Sequence, residues 1–157
     1  MGVLKESNKD KRSVKRLMNS FLGESPSDSP TSKWALVTAL ENISMEKSDF
    51  KLLAEYALGV GLTKKEYAHF LHINPRTLDR NMNDNYTLDL DKSEKILRIS
   101  KMIQRGVDTF GNIEKFSKWI REYNTSLQKR PIELFTTIVG IELIENVLTR
   151  IDYGVYS

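Results

Sequence analysis

Residues 62–82 read LTKKEYAHFLHINPRTLDRNM, and two helix starts are written into them. Thr63 followed by Glu66 is a capping box, with Leu62 and Tyr67 spaced as its hydrophobic staple. Asn74 is a good N-cap. Pro75 suits the first helical position, where its missing N–H would have had no helical partner. Ile73 and Leu78 are spaced as a second staple. The spacing predicts two short helices joined by a turn near His72–Asn74. Ala68 is small where the helices must approach closely, and Tyr67, Leu71, Ile73, Leu78 and Met82 supply a shared core.

This arrangement resembles a helix-turn-helix of the Xre type, whose second helix enters the DNA major groove. At about 100° per residue, Leu78, Met82 and Pro75 cluster on one face of that helix. Arg80 projects opposite, flanked by Arg76 and Thr77. Arginine can bind guanine O6 and N7 with two hydrogen bonds, while Thr77 and Asn81 suit other base edges or phosphates. Lys64 and Lys65, at the start of the preceding helix, suit phosphate contact. The competing reading is a solvated charged face made of Arg76, Asp79 and Arg80. One position departs from the pattern: many helix-turn-helix turns carry glycine where this chain has His72, and a left-handed backbone costs histidine more than glycine. His69 and His72 are the only two histidines. They lack a third ligand, so they are read as structural or surface residues with no metal.

Composition bounds the rest. The chain has 157 residues, enough for one domain or two small ones. It has no cysteine, which excludes disulfides and thiolate metal sites. No apolar run approaches the ~20 residues of a membrane span. The first residues, MGVLKESNKDKRSVKR, lack the apolar segment of a secretory signal, so a cytoplasmic protein is expected. The net charge is +3, and residues 1–33, with seven Lys/Arg against four acids, hold all of it. The remaining chain is neutral, so nucleic-acid binding must come from a local patch and this arm.

Three segments are expected. Residues 1–33 form a basic, flexible arm and linker. GESPSDSPTSK at 23–33 cannot hold a helix, though Val14, Leu17, Met18, Phe21 and Leu22 before it sit at helical spacing. Residues 34–86 form the DNA-binding domain. Residues 87–157 form a second helical domain, separable at the turn sequence NDNY. Apolar residues recur every three or four positions from Trp34 onward. Examples are Phe50, Leu53, Ala54 and Ala57; Ile96, Ile99, Ile103 and Val107; Phe116, Trp119, Ile120 and Tyr123. The chain is therefore all-α, with about six to eight helices.

The second half carries another resemblance. The KILRISKMI helix comes first, then the FG turn at 110–111 and Trp119 in KFSKWI. Asn124, Leu127, RPIELF, Thr137 with Gly140, and the closing RIDYGVY follow in order. This set is similar to the Xre/MbcA/ParS antitoxins, the partners of RES-domain toxins, over about residues 45–157. Two places depart from that pattern. Residues 128–130 read QKR where glycines are usual, and Ile138–Val139 replace residues that are often acidic, adding apolar surface near a helix start.

The resemblance implies an N-terminal part that represses its own operon by binding operator DNA. It implies a C-terminal domain that binds a RES toxin, an NAD-depleting protein, and blocks access to its active site. A homodimer within a larger toxin–antitoxin complex is expected. Arg150, Tyr153, Gly154, Val155 and Tyr156 are the expected toxin-binding residues. Val147, Leu148 and Ile151 continue a helical stripe that leaves Arg150 outside, and Gly154 can take the left-handed conformation that ends helices. The competing reading folds both tyrosines back onto the domain's own core.

The alternative function is a stand-alone transcriptional regulator whose second domain only dimerises. An enzyme is not expected, since there is no Gly-rich phosphate loop, HExxH or Ser/His/Asp set. No cofactor is called for.

Overall fold

A computed structural model describes residues 47–83 and 89–155. The arm at 1–33, the apolar residues around Trp34, the NDNY turn beyond Asn83, and Tyr156 lie outside the described residues. Among those described there are six α-helices and one 3₁₀ turn, within the number expected. None of these helices is long and apolar enough to cross a membrane.

Helix α1 (Lys47–Gly59) buries Phe50, Leu53, Ala54 and Ala57 along one stripe, as its spacing predicts. Helix α2 (Lys64–Phe70) starts at the predicted capping box. The Thr63 hydroxyl accepts from the Glu66 amide at 3.2 Å, and the Thr63 amide donates to Glu66 Oε2 at 2.8 Å. Leu62 and Tyr67, the staple pair, are both buried. Helix α3 (Pro75–Asn83) starts where the Thr77 amide donates to Asn74 Oδ1 at 2.8 Å. Leu78 and Met82 turn inward from it.

Helix α4 (Leu90–Phe110) is the spine of the molecule, with α1, α5 and α6 packed against it. Ile96, Ile99 and Ile103 are buried, and Val107 packs against their cluster. Asp89 caps its start and Gly111, in the FG turn, its end. Helix α5 (Ile113–Trp119) buries Phe116 and sets Trp119 against Phe110, with ring centroids 5.2 Å apart. The expected stripe stops there: α5 ends at Trp119, and Tyr123 stands exposed in the following loop. The 3₁₀ turn (Pro131–Leu134) leads into α6 (Ile138–Asp152).

Thr137 caps α6, its hydroxyl accepting from the Gly140 amide at 3.0 Å. A Cβ at Gly140 would stand 2.1 Å from the Leu134 carbonyl oxygen, so only glycine lets the 3₁₀ turn lie this close. The inner face of α6 buries Ile141, Ile144 and Leu148.

One apolar cluster runs from Phe50 to Leu148. Phe70 of α2 meets Phe135 with ring centroids 5.1 Å apart, so the two halves of the chain share a core.

Candidate DNA and partner interfaces

Two surfaces collect the side chains singled out by sequence. The first is the outer side of α2 and α3. Lys64, Lys65, Arg76 and Arg80 are exposed, and Thr77 is half-buried beside them. Asn81 does not join this face: it is 2 % exposed, and its Oδ1 has no protein hydrogen-bond partner. The helical angle already separates it from the others, since Asn81 lies about 60° from Leu78 on the buried side of an ideal helix. Proximity in sequence to Arg80 placed it on the wrong side of α3.

Asp79, which the competing reading groups with Arg76 and Arg80 in a solvated charged face, also binds across to α2. Its Oδ1 lies 2.5 Å from Lys64 Nζ, so α3 holds a lysine of α2 in place. Asn83 donates to the Asp79 carbonyl oxygen at 2.8 Å. Arg76, Thr77 and Arg80 thus surround an acid that partly neutralises the patch. An anionic backbone approaching Lys64 must compete with that carboxylate.

The turn between α2 and α3 has the strained geometry its sequence implies, with His72 at φ 55°. The Ile73 amide donates to the Ala68 carbonyl at 3.0 Å and closes the turn. His72 also reaches the other half of the chain. Its Nε2 lies 3.2 Å from the Thr136 carbonyl oxygen and 3.0 Å from Lys95 Nζ, which itself donates to that carbonyl. Burial holds the Lys95 ammonium below the usual lysine pKa. His69 is exposed, and no cluster of potential metal ligands occurs among the described residues.

The second surface is the outer face and end of α6. The Gly154 amide donates to the Ile151 carbonyl at 3.0 Å, and the Val155 amide donates to the Arg150 carbonyl at 2.9 Å. With Gly154 at φ 68°, these two bonds make a Schellman turn that ends the helix. The turn leaves Tyr153 75 % and Val155 56 % exposed, with Arg150 exposed one helical turn earlier. Tyr153 does not fold back onto the core. Arg105 of α4 steadies this end, donating to Thr149 Oγ1 at 2.6 Å with Asp152 at 3.6 Å.

The chain resembles known proteins in both halves. Residues 45–101 match the antitoxin Xre-like helix-turn-helix domain. Residues 105–154 match the antitoxin Xre/MbcA/ParS C-terminal toxin-binding domain, a stretch that takes in α5 and α6 and ends at Gly154. No curated protein matches the chain.

Proposed function

The chain belongs to the Xre/MbcA/ParS-type antitoxins, and from that premise we propose that it inhibits a RES-domain toxin by occluding its active site. It does so as a binding protein, not as an enzyme, and represses its own operon through α2 and α3. Residues 34–86 are assigned to DNA and 87–157 to the toxin. A homodimer suits the DNA function, because paired helix-turn-helix units read half-sites one helical turn apart.

The observation that carries the toxin half is the ordered end of α6. A fixed turn presents Tyr153 and Val155 to solvent next to Arg150. Exposed apolar groups on a rigid support are what a partner's cleft can bury. A tyrosine adds a large ring at low entropic cost and keeps a hydroxyl for hydrogen bonding. Arg150, Tyr153, Gly154 and Val155 form the proposed inhibitory surface, together with Tyr156 of the same segment.

Deleting residues 153–157 tests this reading. Co-expressed with the toxin, the shortened chain should fail to rescue growth while losing no more than about 2–4 °C of melting temperature and keeping its affinity for operator DNA. Full rescue would refute occlusion by this segment. A large fall in melting temperature would assign it to the protein's own core instead.

A further inference from the structure

Helix α6 carries apolar side chains on two faces. The inner one, with Ile141, Ile144 and Leu148, is in the core. On the outer one, Val139, Leu143, Asn146, Arg150 and Tyr153 recur every three or four residues, and all five are exposed. At about 100° per residue these positions fall within about 40° of one line along the helix. Val139 is 66 % and Leu143 46 % exposed. Five large apolar side chains are exposed among the described residues, and four of them belong to α6 or the turn that ends it. Scattered exposure would be ordinary, but apolar groups lined up on one ridge are the mark of an interface.

We propose that the toxin docks along the whole outer ridge of α6, from Val139 through Leu143 and Asn146 to Tyr153 and Val155, and not at its end alone. This inference rests on the toxin-binding reading above and extends it by about three helical turns. The occupant follows from continuity. Val139 and Leu143 lie on the same line as Arg150 and Tyr153, inside the stretch that matches a toxin-binding domain. A second copy of the chain lying antiparallel on this ridge would cover Arg150 and Tyr153, the groups the toxin is proposed to take.

The ridge also sets the chemistry of its partner. Fourteen residues of helix separate Val139 from Tyr153, so the partner presents two apolar depressions about 21 Å apart. Between them it places a carboxylate for Arg150.

The test uses the full-length protein and the purified product of the open reading frame beside its gene. Val139→Asp and Leu143→Asp are titrated against that protein, with Tyr123→Ala as a control for exposed apolar surface elsewhere. Each aspartate should weaken the complex about 10- to 100-fold. Melting temperature, operator binding and mass by light scattering should stay unchanged, and Tyr123→Ala should bind as the wild type does. Should an aspartate variant fold poorly, the double variant Val139→Ser/Leu143→Gln reads the same ridge with less perturbation.

Unchanged affinity in these variants, with binding lost on deletion of 153–157, would overturn the ridge and leave the proposed function standing. A fall in mass without loss of toxin binding would overturn it in favour of self-association. Unchanged affinity in both the ridge variants and the deletion would overturn the ridge and the proposed function together.

Discussion

Arg121 clasps Glu66 across the two halves of the chain: its Nη1 lies 2.8 Å from Oε1 and its Nη2 3.2 Å from Oε2. Nη2 also donates to the Gly61 carbonyl at 2.7 Å. Glu66 is the acid of the capping box that starts α2. A residue just past α5 therefore secures the start of the helix-turn-helix. Bidentate guanidinium–carboxylate pairs of this kind are among the stronger surface ion pairs.

The pair gives the protein a pH signature. The Arg121 guanidinium, with the Thr63 amide and hydroxyl, lowers the Glu66 pKa from 4.5 to about 2. The folded state thus favours the ionised carboxylate. Its stabilisation is fully present above pH 4.5 and is lost as pH falls towards 2. With solvent screening allowed for at this partly exposed pair, the effect is about 1–2 kcal/mol. Urea unfolding at pH 7 and pH 3 should show the wild type losing more stability than Arg121→Met between the two. Equal losses would mean the pair does not support the fold.

On the DNA face, Arg80→Ala should cost about 1–3 kcal/mol on the specific operator and relax preference at one base pair. Lys65→Ala should weaken all sequences alike and reduce the salt slope by about one unit. Asp79→Asn should act in the opposite sense. It releases Lys64 from the carboxylate 2.5 Å away, so affinity for non-operator DNA should rise and the salt slope should steepen. Fluorescence anisotropy across a salt series reads all three. Operator binding by Arg80→Ala as tight as the wild type's would move the reading face elsewhere.

How much of this was legible depended on range. The caps at Thr63, Asn74, Asp89, Asn112 and Thr137 each accept from an amide three residues on. Such signals survive in a linear pattern. Contacts such as Phe70–Phe135 and Arg121–Glu66 join residues far apart in sequence, and no local spacing encodes them. Asn81 differs for another reason: its residue type suits a DNA contact, but its angle on the short helix assigns it to the interior. Apolar periodicity found part of the inner face of α6, at Val147 and Leu148. The outer ridge was partly visible too, since Ile138–Val139 marked extra apolar surface near the helix start.

Glycine was expected in two turns, the one that holds His72 and the QKR stretch at 128–130, and in the second the left-handed position is Gln128. His72 and Gln128 are the only non-glycine residues at positive φ among those described, at 55° and 53°. Gln128 is exposed, in the loop closed by the Asn124 amide donating to the Lys129 carbonyl at 3.0 Å. Left-handed backbone costs a residue with a Cβ more than it costs glycine. Gln128→Gly should therefore raise stability by about 0.5–1 kcal/mol, after the added entropy of the unfolded chain is counted. Chemical denaturation checks this. A destabilised variant would show that the Gln128 side chain supports the loop.

The shared core sets a limit on dissection. Ile96, Ile99 and Ile103 of α4, and Phe135 after the 3₁₀ turn, are buried in a cluster that includes Phe50, Leu53 and Phe70. A chain of residues 87–157 would expose that side of α4 to water. At about 25 cal/mol per Å² of apolar surface, a few lost side chains remove most of a small domain's stability. The fragment should show no cooperative thermal transition by circular dichroism. A sharp transition would establish that residues 87–157 fold as an independent unit.

The last prediction separates the shape of the α6 end from its composition. Gly154 stands at φ 68°, and a Cβ there would meet nothing within 4 Å. Alanine at this position therefore brings no clash within the chain, only the cost of a left-handed backbone, about 1 kcal/mol. The turn should open, Val155 should lose its bond to the Arg150 carbonyl, and the melting temperature should fall by about 2–4 °C. Toxin affinity should fall further than stability does, by at least about tenfold, because the turn fixes where Tyr153 and Val155 project. Asparagine also adds a Cβ but tolerates the left-handed region, so Gly154→Asn should recover most of the lost affinity. Paired titrations of the two variants decide the matter. If both bind weakly, the toxin rejects a side chain at this site; if both bind as the wild type does, the fixed turn is not part of recognition.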